Sequence, residues 1–479
     1  MKNVNFLKVF HRLFVIIFLI SGQLFAQDTF YKTYDGSGND VGSYVATTDD
    51  GGYVIIGKTN SFGVGGYDVW LLKTNASGDT LWTKTYGGIS DDEGRCVQQT
   101  SDGGYIIAAN TTIPGHYNDG WVFKTDANGL IEWDYTFGGE LNMDGASFVL
   151  EDDEGNFIVS GTVDGKSHVF KIDGGGNIIW EETYFSNNSS GTLSISRIAD
   201  NRYAVVGNFQ LVSAGAWYPN MFIIESTGVL VTQLTWTQYE GGIINFVIQT
   251  LDGGMLFGGA WSGTPALMRL SYDGTDVWEY IFPQTGSYIY ANSAVQSPDE
   301  SFVVAGNWIS GAMLKINDSG DTLWTRSGTL NNEEVFYSCI QNTSDNSLVL
   351  TGYGKPSAYD HQVILVKTLE NGGMSGIIQN GDWKKSSSIM QNNPNPFTDN
   401  TTLSFNLVKN EYVKIFITDI NGKVIRTIIE GNMNIGEHKI VWDGMNNNGL
   451  QSDNGVYFAV MKLRSGLCQT IKMIKARTD

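Results

Sequence analysis

The most constraining feature of this sequence is an internal repeat. The segment VATTDDGGYVIIGKTNSFGVGGYDVWLLKTNASGDTLWTKTYGG from Val45 is followed at Val97 by VQQTSDGGYIIAANTTIPGHYNDGWVFKTDANGLIEWDYTFGG. Both contain, in the same order, an Asp-Gly-Gly turn, an apolar strand, a loop, a second strand, a turn and a strand with a tryptophan. A fixed period of this kind limits the fold to repeated units that bury their apolar side chains against one another.

Weaker copies of the unit continue along the chain. Turns related to Asp-Gly-Gly recur near Gly51, Gly103, Gly155, Asn201, Gly253, Glu300 and Asn346, and we place the tryptophan strand at Trp82, Trp133, Trp180, Trp236, Trp278 and Trp324. The seven units are about 42 to 56 residues long, and each contains four short segments separated by Asp, Asn and Gly. Four strands at this period predict a propeller blade, so residues 27–370 are predicted to form a seven-bladed β-propeller in an all-β protein.

The two ends of the repeat array complement each other. The last unit lacks a tryptophan strand after Lys367, whereas TFYKTYDG at Thr29 matches LWTKTYGG at Leu81 but has no preceding strands of its own. We therefore expect the N-terminal strand to complete the last blade. Closure of this kind leaves no long sheet edge open to other chains.

The turn and the tryptophan carry a family resemblance. KTNASGDTLW and KTDANGLIEW resemble the tryptophan-docking repeats of quinoprotein-type propellers. The resemblance covers the turn and the tryptophan alone, and it implies that an indole from each blade packs against the neighbouring blade. It supplies no residues for a quinone, so no organic cofactor is predicted.

The N-terminal region has the pattern of an export signal. Lys2, Lys8 and Arg12 accompany an apolar run from Leu13 to Ile20, and small residues lead to Ala26. We expect residues 1–26 to be a secretory signal peptide cleaved near Ala26. Later apolar runs fall short of the roughly 20 residues of a transmembrane helix, so no membrane span is predicted. Three cysteines in 479 residues are too few for a disulfide framework.

The C-terminal region differs from the repeats. Residues 371–390 are rich in Gly, Asn, Ser and Lys and are predicted to be a linker. Residues 391–479 alternate apolar and polar side chains between Asn-Gly turns, which predicts a small immunoglobulin-like β-sandwich.

Short motifs in this module carry a second resemblance. They are NPNPF (Asn393, Pro394, Asn395, Pro396, Phe397), DINGKVI, the WDG of VWDGMNNNG (Trp442, Asp443, Gly444) and the GVY of DNGVYFAVM (Gly455, Val456, Tyr457). In this order they resemble the type A C-terminal sorting domain of type IX secretion cargo in Bacteroidetes-like bacteria. The resemblance implies the type IX machinery as a partner and a secreted or outer-membrane-surface location. An ordinary immunoglobulin-like accessory domain remains the alternative.

Charge and motif content narrow the function. The chain has 30 Lys and Arg against 50 Asp and Glu, a net charge of −20, which disfavours nucleic acid or an anionic membrane as the main partner. The sequence has no GxSxG or Walker motif, and His116, His168, His361 and His438 lack zinc-like spacing. No catalytic residue is therefore predicted.

Three aspartates recur at a strict spacing. Asp40, Asp92 and Asp144 each come five residues before the aligned Val45, Val97 and Val149, at intervals of 52 residues. Equivalent positions in successive blades lie on one rim, where clustered oxygen ligands would suit Ca²⁺. The alternatives are that each carboxylate accepts bonds from its own loop backbone, or that the acids are catalytic.

The longer connections of the repeats contain aromatic and histidine side chains. We expect these loops to share the face opposite the short turns and to bind a ligand there; the candidate residues are Tyr67, His116, Tyr117, Trp217, Tyr218, Tyr359 and His361. The sequence favours a binding or adhesion module for glycan or protein. The alternatives are a polysaccharide lyase or hydrolase that uses Asp92 and Asp144, and a purely structural surface protein.

Overall fold

A computed structural model describes most of the chain. The described residues are 29–140, 142–185, 189–211, 216–261, 264–271, 275–281, 290–307, 312–326, 329–330, 333–357, 360–373, 388–389, 392, 394–407, 410–419, 422–463 and 468–476. The predicted signal peptide, most of the predicted linker, Tyr359 and Asn393 lie outside these residues. Within the described part, no helix has the length and apolar character needed to span a membrane.

The described part is all-β apart from one short 3₁₀ turn at Ala199–Asn201. Strand β1 (Phe30–Tyr34) is followed by four-stranded antiparallel sheets built from consecutive strands. Sheet 1 contains β2 (Asp40–Thr47), β3 (Tyr53–Thr59), β4 (Asp68–Thr74) and β5 (Thr80–Tyr86). Sheet 2 contains β6 (Glu93–Gln99), β7 (Tyr105–Thr112), β8 (Asn118–Thr125) and β9 (Ile131–Phe137). Sheet 3 contains β10 (Gly145–Glu151), β11 (Phe157–Val163), β12 (Lys166–Ile172) and β13 (Ile178–Tyr184).

The same order continues through the next three sheets. Sheet 4 contains β14 (Ser190–Ile198), β15 (Arg202–Leu211), β16 (Ala216–Glu225) and β17 (Leu230–Thr235). Sheet 5 contains β18 (Ile243–Gln249), β19 (Met255–Trp261), β20 (Thr264–Leu270) and β21 (Asp276–Ile281). Sheet 6 contains β22 (Ala291–Gln296), β23 (Phe302–Gly306), β24 (Ala312–Ile316) and β25 (Thr322–Arg326).

Sheet 7 combines the two ends of the array. It contains β26 (Thr329–Leu330), β27 (Glu333–Asn342), β28 (Leu348–Ser357), β29 (Asp360–Thr368) and, at its outer edge, β1. Strands β1 and β29 are antiparallel, with Phe30 opposite Lys367 and Tyr34 opposite Val363. The N-terminal strand thus occupies the position predicted from its sequence match.

Neighbouring sheets pack face to face through their middle strands. On β3, Val54 and Ile56 belong to a buried cluster with sheet 2, whereas Tyr53 and Ile55 belong to one with sheet 7. Side chains alternate between the two faces of a strand, so a continuous apolar run such as YVII fills two interfaces at once. Sheet 1 is therefore packed against both the second sheet and the last.

The connections fall on two opposite ends of the sheets. We call the end that carries the first-to-second and third-to-fourth strand connections the turn face, and the opposite end the loop face. Each first strand has a β-bulge at an equivalent position, at Ser43, Arg95, Ser147, Leu193, Asn245, Asn292 and Ser338. Recurrence of one irregularity at one register shows that the units share a backbone as well as a sequence pattern.

A buried cation recurs on the turn face. In six sheets, a Lys or Arg near the end of the third strand pairs with the Asp of the first turn; the pairs are Lys73–Asp50, Lys124–Asp102, Lys171–Asp152, Arg269–Asp252, Lys315–Asp299 and Lys367–Asp345, at 2.6–3.1 Å. The Asp also accepts bonds from its own turn, as Asp50 does from Thr48 Oγ1 and Gly52 N. These pairs tie the third strand to the first turn within each sheet.

Tryptophan docking is present, with one correction. The indole Nε1 of Trp133 donates to Gly174 O of the next sheet at 2.9 Å, and Trp180 bonds Ser226 O likewise. Sheet 4 departs from the pattern, and the assignment of Trp236 was wrong. Thr232, opposite Ile223, occupies the docking position, and Trp236 is buried one residue beyond β17. Ile223 also replaces the buried cation, so sheet 4 lacks both features.

The turn-face ion pairs predict acid sensitivity. Burial raises the pKa of Asp50, but bonds from Lys73, Thr48 and Gly52 outweigh burial and lower it to about 2, and the pKa of Asp102 is likewise lowered to about 2. A carboxyl group whose pKa is lower in the folded chain than in the unfolded chain stabilises the fold above the unfolded pKa of about 4. This stabilisation is lost as the pH falls toward 2 and the carboxylate is protonated. Urea unfolding from pH 7 to pH 2 should show the free energy of unfolding falling below about pH 4. Asp50→Asn with Asp102→Asn should flatten that fall; an exposed-turn control, Glu300→Gln, should not.

The C-terminal module has two packed sheets. One contains β30 (Ser388–Ile389), β31 (Thr401–Leu407) and β34 (Gly436–Trp442), and the other contains β33 (Val424–Met433), β32 (Glu411–Asp419), β35 (Gly455–Leu463) and β36 (Cys468–Lys475). Their inner faces share one buried cluster, in which Trp442 is fully buried beside Phe397 and Tyr457. This is the sandwich arrangement that the alternating sequence predicts.

Candidate functional site

Only some of the predicted loop-face side chains reach solvent. Tyr117 is 60% exposed and Trp217 is 40% exposed, whereas Tyr218 is 7% exposed and packs into sheet 4. Tyr67, His116 and His361 are half-buried. Successive residues of β16 point to opposite faces, which is why Trp217 and Tyr218 differ.

Each of the three half-buried members contacts a side chain of its own sheet. Lys58 Nζ lies 5.0 Å from the centre of the Tyr67 ring, and His116 Nδ1 lies 3.0 Å from Asp119 Oδ2. The His361 ring packs against Tyr353 at 4.9 Å. These three side chains are thus held by neighbouring groups. Among the described members of the predicted set, Tyr117 and Trp217 are the exposed aromatics.

Exposed apolar side chains that sequence reasoning missed lie on the same face. They come from the loops and linkers of sheets 1 and 2, and we call them, with Tyr117, the loop-face row: Phe62, Val64, Ile89, Ile113, Tyr117 and Met143. Ile89 and Met143 are 72% and 70% exposed. The sequence signal that could have found them is an apolar residue in a loop otherwise rich in Gly, Ser and Asp, since such a residue does not belong to a strand that fills the core.

Backbone hydrogen bonds hold members of the row together in two pairs. Asp92 N donates to Tyr67 O at 2.6 Å, which fixes the linker that carries Ile89 onto the loop that carries Val64. One repeat later, Asp144 N donates to Asn118 O at 2.7 Å, which fixes the Met143 linker beside the Tyr117 loop. The same linker-to-loop contact thus recurs in two successive repeats, and each copy carries exposed apolar side chains.

The recurrent aspartates support these linker-to-loop contacts. Asp40 Oδ2 accepts from Gly36 N at 2.8 Å, Asp92 Oδ2 from Gly88 N at 2.9 Å, and Asp144 Oδ2 from Gly139 N at 2.8 Å. All three side chains are buried, and their other oxygens also accept bonds, from Thr59, Thr111 and the Asp164 backbone.

The aspartate geometry matches the loop-ordering alternative. Burial raises the pKa of Asp144, and the nearby carboxylates of Asp164 and Asp119 raise it further. Among the described residues, no group of three or more His, Cys, Asp or Glu side chains is placed to hold a metal ion. Ca²⁺ at Asp40, Asp92 and Asp144 therefore stays a prediction without geometric support.

A concave site lies on the opposite end, where four first strands meet at the turn face. The cavity has a volume of about 380 Å³ and is lined from sheets 1, 2, 3 and 7 by Tyr44, Asp49, Gln98, Gln99, Glu151 and Gln341. Thr47, Thr100 and Ser101 add hydroxyl groups, and Ala46 is the apolar contributor. We call this site the turn-face cup.

An aromatic pair lies at the base of the cup. The Tyr44 ring meets Phe148 of sheet 3 edge to face at 5.5 Å, and Tyr44 OH accepts from Gln341 Nε2 of sheet 7 at 3.1 Å. Tyr44 therefore spans three sheets at the point where their first strands converge. Its burial raises the pKa of the phenol well above the ordinary value, so the phenol stays protonated at neutral pH.

Bonds between sheets fix part of the rim. Gln99 Oε1 accepts from Asp49 N at 2.8 Å, and Glu151 accepts from Ser101 N at 2.8 Å and Ser101 Oγ at 2.6 Å. Each bond joins the end of one first strand to the turn of the preceding sheet. The side chains of Gln98 and Asp49 make no hydrogen bond with the described part of the chain.

The motifs of the C-terminal module converge on its last strand. Phe397 N donates to Ile474 O, Ala476 N donates to Phe397 O, and Asn395 Oδ1 accepts from Ile474 N, at 2.8–2.9 Å. Buried Lys475 Nζ donates to Gln451 Oε1 at 2.7 Å and Ser452 O at 2.6 Å. Pro394 and Pro396 are exposed.

The remaining motif residues shape the adjoining loop. Asp443 accepts from Arg426 Nη1 at 2.6 Å, and Gly444 has a φ of +69°. Gly455 and Val456 begin β35, and Tyr457 OH donates to Asp453 O at 2.6 Å. The motifs thus hold the module together.

The fold defines an all-β protein with sheets like propeller blades followed by an immunoglobulin-like module. Residues 393–466 match the family described as FlgD Ig-like domain. No curated protein matches the chain.

Solved structures resemble the chain at low identity. One is PorZ, a surface component of the type IX secretion system of Porphyromonas gingivalis, with 14% identity, 93% of this chain and 60% of that chain covered, and a TM-score of 0.46. Another is the extracellular domain of a hybrid two-component system from B. thetaiotaomicron, with 13% identity, coverage of 93% and 57%, and a TM-score of 0.44. A protein of unknown function from Bacteroides caccae has 10% identity, coverage of 57% and 93%, and a TM-score of 0.39. The chain spans less than two thirds of the first two proteins.

Proposed function

We propose that the chain is an exported binding module in which a seven-bladed propeller binds a protein through its loop face. The observation that carries the binding proposal is the loop-face row, whose large apolar side chains project into solvent from neighbouring loops. Apolar side chains grouped in this way are typical of protein interaction surfaces, because their burial in a complex removes them from water. A glycan is the other ligand class for this face.

The binding test uses the full chain. Capture from outer-membrane and culture-medium fractions of the producing bacterium should recover a protein with the wild type, and a glycan array should give no binding that depends on the row. Ile89→Ser, Tyr117→Ser and Met143→Ser together should lower affinity for the captured protein at least about tenfold, since each removes buried apolar area.

A matched control distinguishes the face from general apolar exposure. Leu81 and Ile179 are also exposed, at 55% and 50%, but lie on the outer strands β5 and β13. Leu81→Ser with Ile179→Ser should leave binding unchanged. Equal losses in both variants, or binding that is indifferent to the row, would contradict the proposed surface.

We further propose that residues 391–479 are a type A sorting domain for type IX secretion, so that the mature chain acts outside the cell or on the outer membrane. The support is that the motifs behind the resemblance, distant in sequence, meet around Phe397, Trp442 and Lys475. No observation favours an enzyme: the carboxylates of Asp92 and Asp144 are buried and accept bonds from their own loops.

A further inference from the structure

We propose that the turn-face cup is a second binding site, which takes the uncharged, hydroxyl-rich end of a carbohydrate. The cup lies at the end of the sheets opposite the loop-face row, so it is independent of the protein-binding surface proposed above. Its volume of about 380 Å³ falls within the range of about 300 to 1,000 Å³ usual for small-ligand sites.

The cup is preorganised, because hydrogen bonds between its lining residues fix its shape in the absence of a ligand. The bonds from Gln99 and Glu151 to the turns of the preceding sheets fix the rim at two successive junctions. Tyr44, held by Gln341 and packed on Phe148, fixes the base. A preorganised polar cavity loses little conformational entropy on binding.

The ligand class follows from the polar side chains of the cup that make no hydrogen bond within the described residues, Gln98 and Asp49. The Gln98 amide offers both a donor and an acceptor, and the Asp49 carboxylate offers two acceptor oxygens. A sugar hydroxyl both donates and accepts, so adjacent hydroxyls can pair with an amide and a carboxylate together. Thr47 adds a further hydroxyl at the rim.

The charge of the lining argues against anionic ligands. Asp49 and Glu151 are acidic, and none of the described lining residues is Lys or Arg. A phosphate, sulfate or carboxylate group would meet these carboxylates without a compensating cation. A neutral saccharide avoids that repulsion, and a cationic amine is the competing class that the experiment must separate.

A comparison of the repeats shows which substitution of Gln98 the fold should tolerate. Gln98 in β6 aligns with Leu150 in β10 and Ile248 in β18, so an aliphatic side chain is already accommodated at this position in other sheets. Gln98→Ile therefore removes the amide with little risk to the strand. Asp49→Ala removes the carboxylate from an exposed turn position.

The experiment screens the full chain on a glycan array that holds neutral, sialylated and sulfated glycans, with spermidine as a cationic probe in calorimetry. We expect neutral glycans to bind, and Gln98→Ile and Asp49→Ala each to weaken the affinity about threefold to tenfold, the loss of one or two hydrogen bonds. The loop-face variants and Gln249→Leu, which changes a glutamine of sheet 5 outside the cup, should bind as the wild type does.

Three results would overturn the proposal: no glycan binding, preferential binding of sulfated glycans or spermidine, or neutral-glycan binding that survives both cup substitutions. Loss of protein capture by the loop-face variants with glycan binding retained would separate the two sites. Retained protein capture in the cup variants would show that a negative glycan result does not come from misfolding.

Discussion

Replacing Phe30 and Tyr31 with alanine should destabilise the repeat array by about 3 kcal/mol or more, since both half-buried rings pack in the interfaces of sheet 7. Phe30 packs toward sheet 1, where its ring also lies against Gly78, and Tyr31 packs against the cluster shared with sheet 6. A Cβ at Gly78, where φ is +76°, would lie 2.7 Å from the Phe30 ring, so the ring packs directly on the backbone of this turn. Urea unfolding of the full chain measures the loss.

The location of the damage is the sharper measurement. In the double-alanine variant, amide exchange should accelerate first in β29 and β4. Strand β1 pairs with β29, and Tyr34 OH donates to Gly78 O, in the turn after β4, at 2.6 Å. Thr33→Ala, at an exposed position of the same strand, should change stability by less than about 0.5 kcal/mol. Equal stability of both variants would mean that β1 is dispensable for closure.

Trp442→Ala should cost the C-terminal module about 3 to 5 kcal/mol, because it empties the centre of a fully buried cluster. The indole meets Phe397 at 5.4 Å and Tyr457 at 5.1 Å, and its Nε1 donates to Met445 O at 2.9 Å. Amide protection across residues 401–475 of the full chain should fall. Val441→Ala, on the exposed side of the same strand, should leave it unchanged.

The same pair of variants tests the export proposal. In the producing bacterium, Trp442→Ala should reduce the amount of protein outside the cell, while Val441→Ala should be exported as the wild type is. Normal export of a Trp442→Ala chain that has lost its amide protection would contradict a role for the folded module in sorting.

Much of the architecture could be predicted because the same sequence pattern occurs in several units, so each copy supports the assignment of strands in the others. The match of TFYKTYDG to LWTKTYGG located the closing strand, since the same residues must meet the same neighbours in every unit. Sheet 4 shows the limit of this reasoning. Trp236 was predicted to dock in this sheet, but it lies four residues after Thr232, which occupies the docking position. The sequence of this unit has diverged so far that the repeat does not fix its alignment.

The candidate sites were less predictable for a physical reason. Gln98, Glu151 and Gln341 come from three sheets, and their meeting depends on how first strands converge, which no local pattern encodes. On the loop face, Trp217 and Tyr218 are adjacent in sequence but face opposite ways. The strict spacing of the aspartates put them at equivalent positions of successive units, but which backbone N–H each carboxylate oxygen accepts from depends on the path of its loop.

The pairing of Phe30 with Lys367 has a consequence for biogenesis. Strand β1 is synthesised before every other strand of the array, and its partner β29 after all the others of the array. The two cannot pair until the whole array has been made. Contacts between such distant residues form late and slowly. Under the proposed export, this delay would help the chain to stay unfolded until it has crossed the membrane.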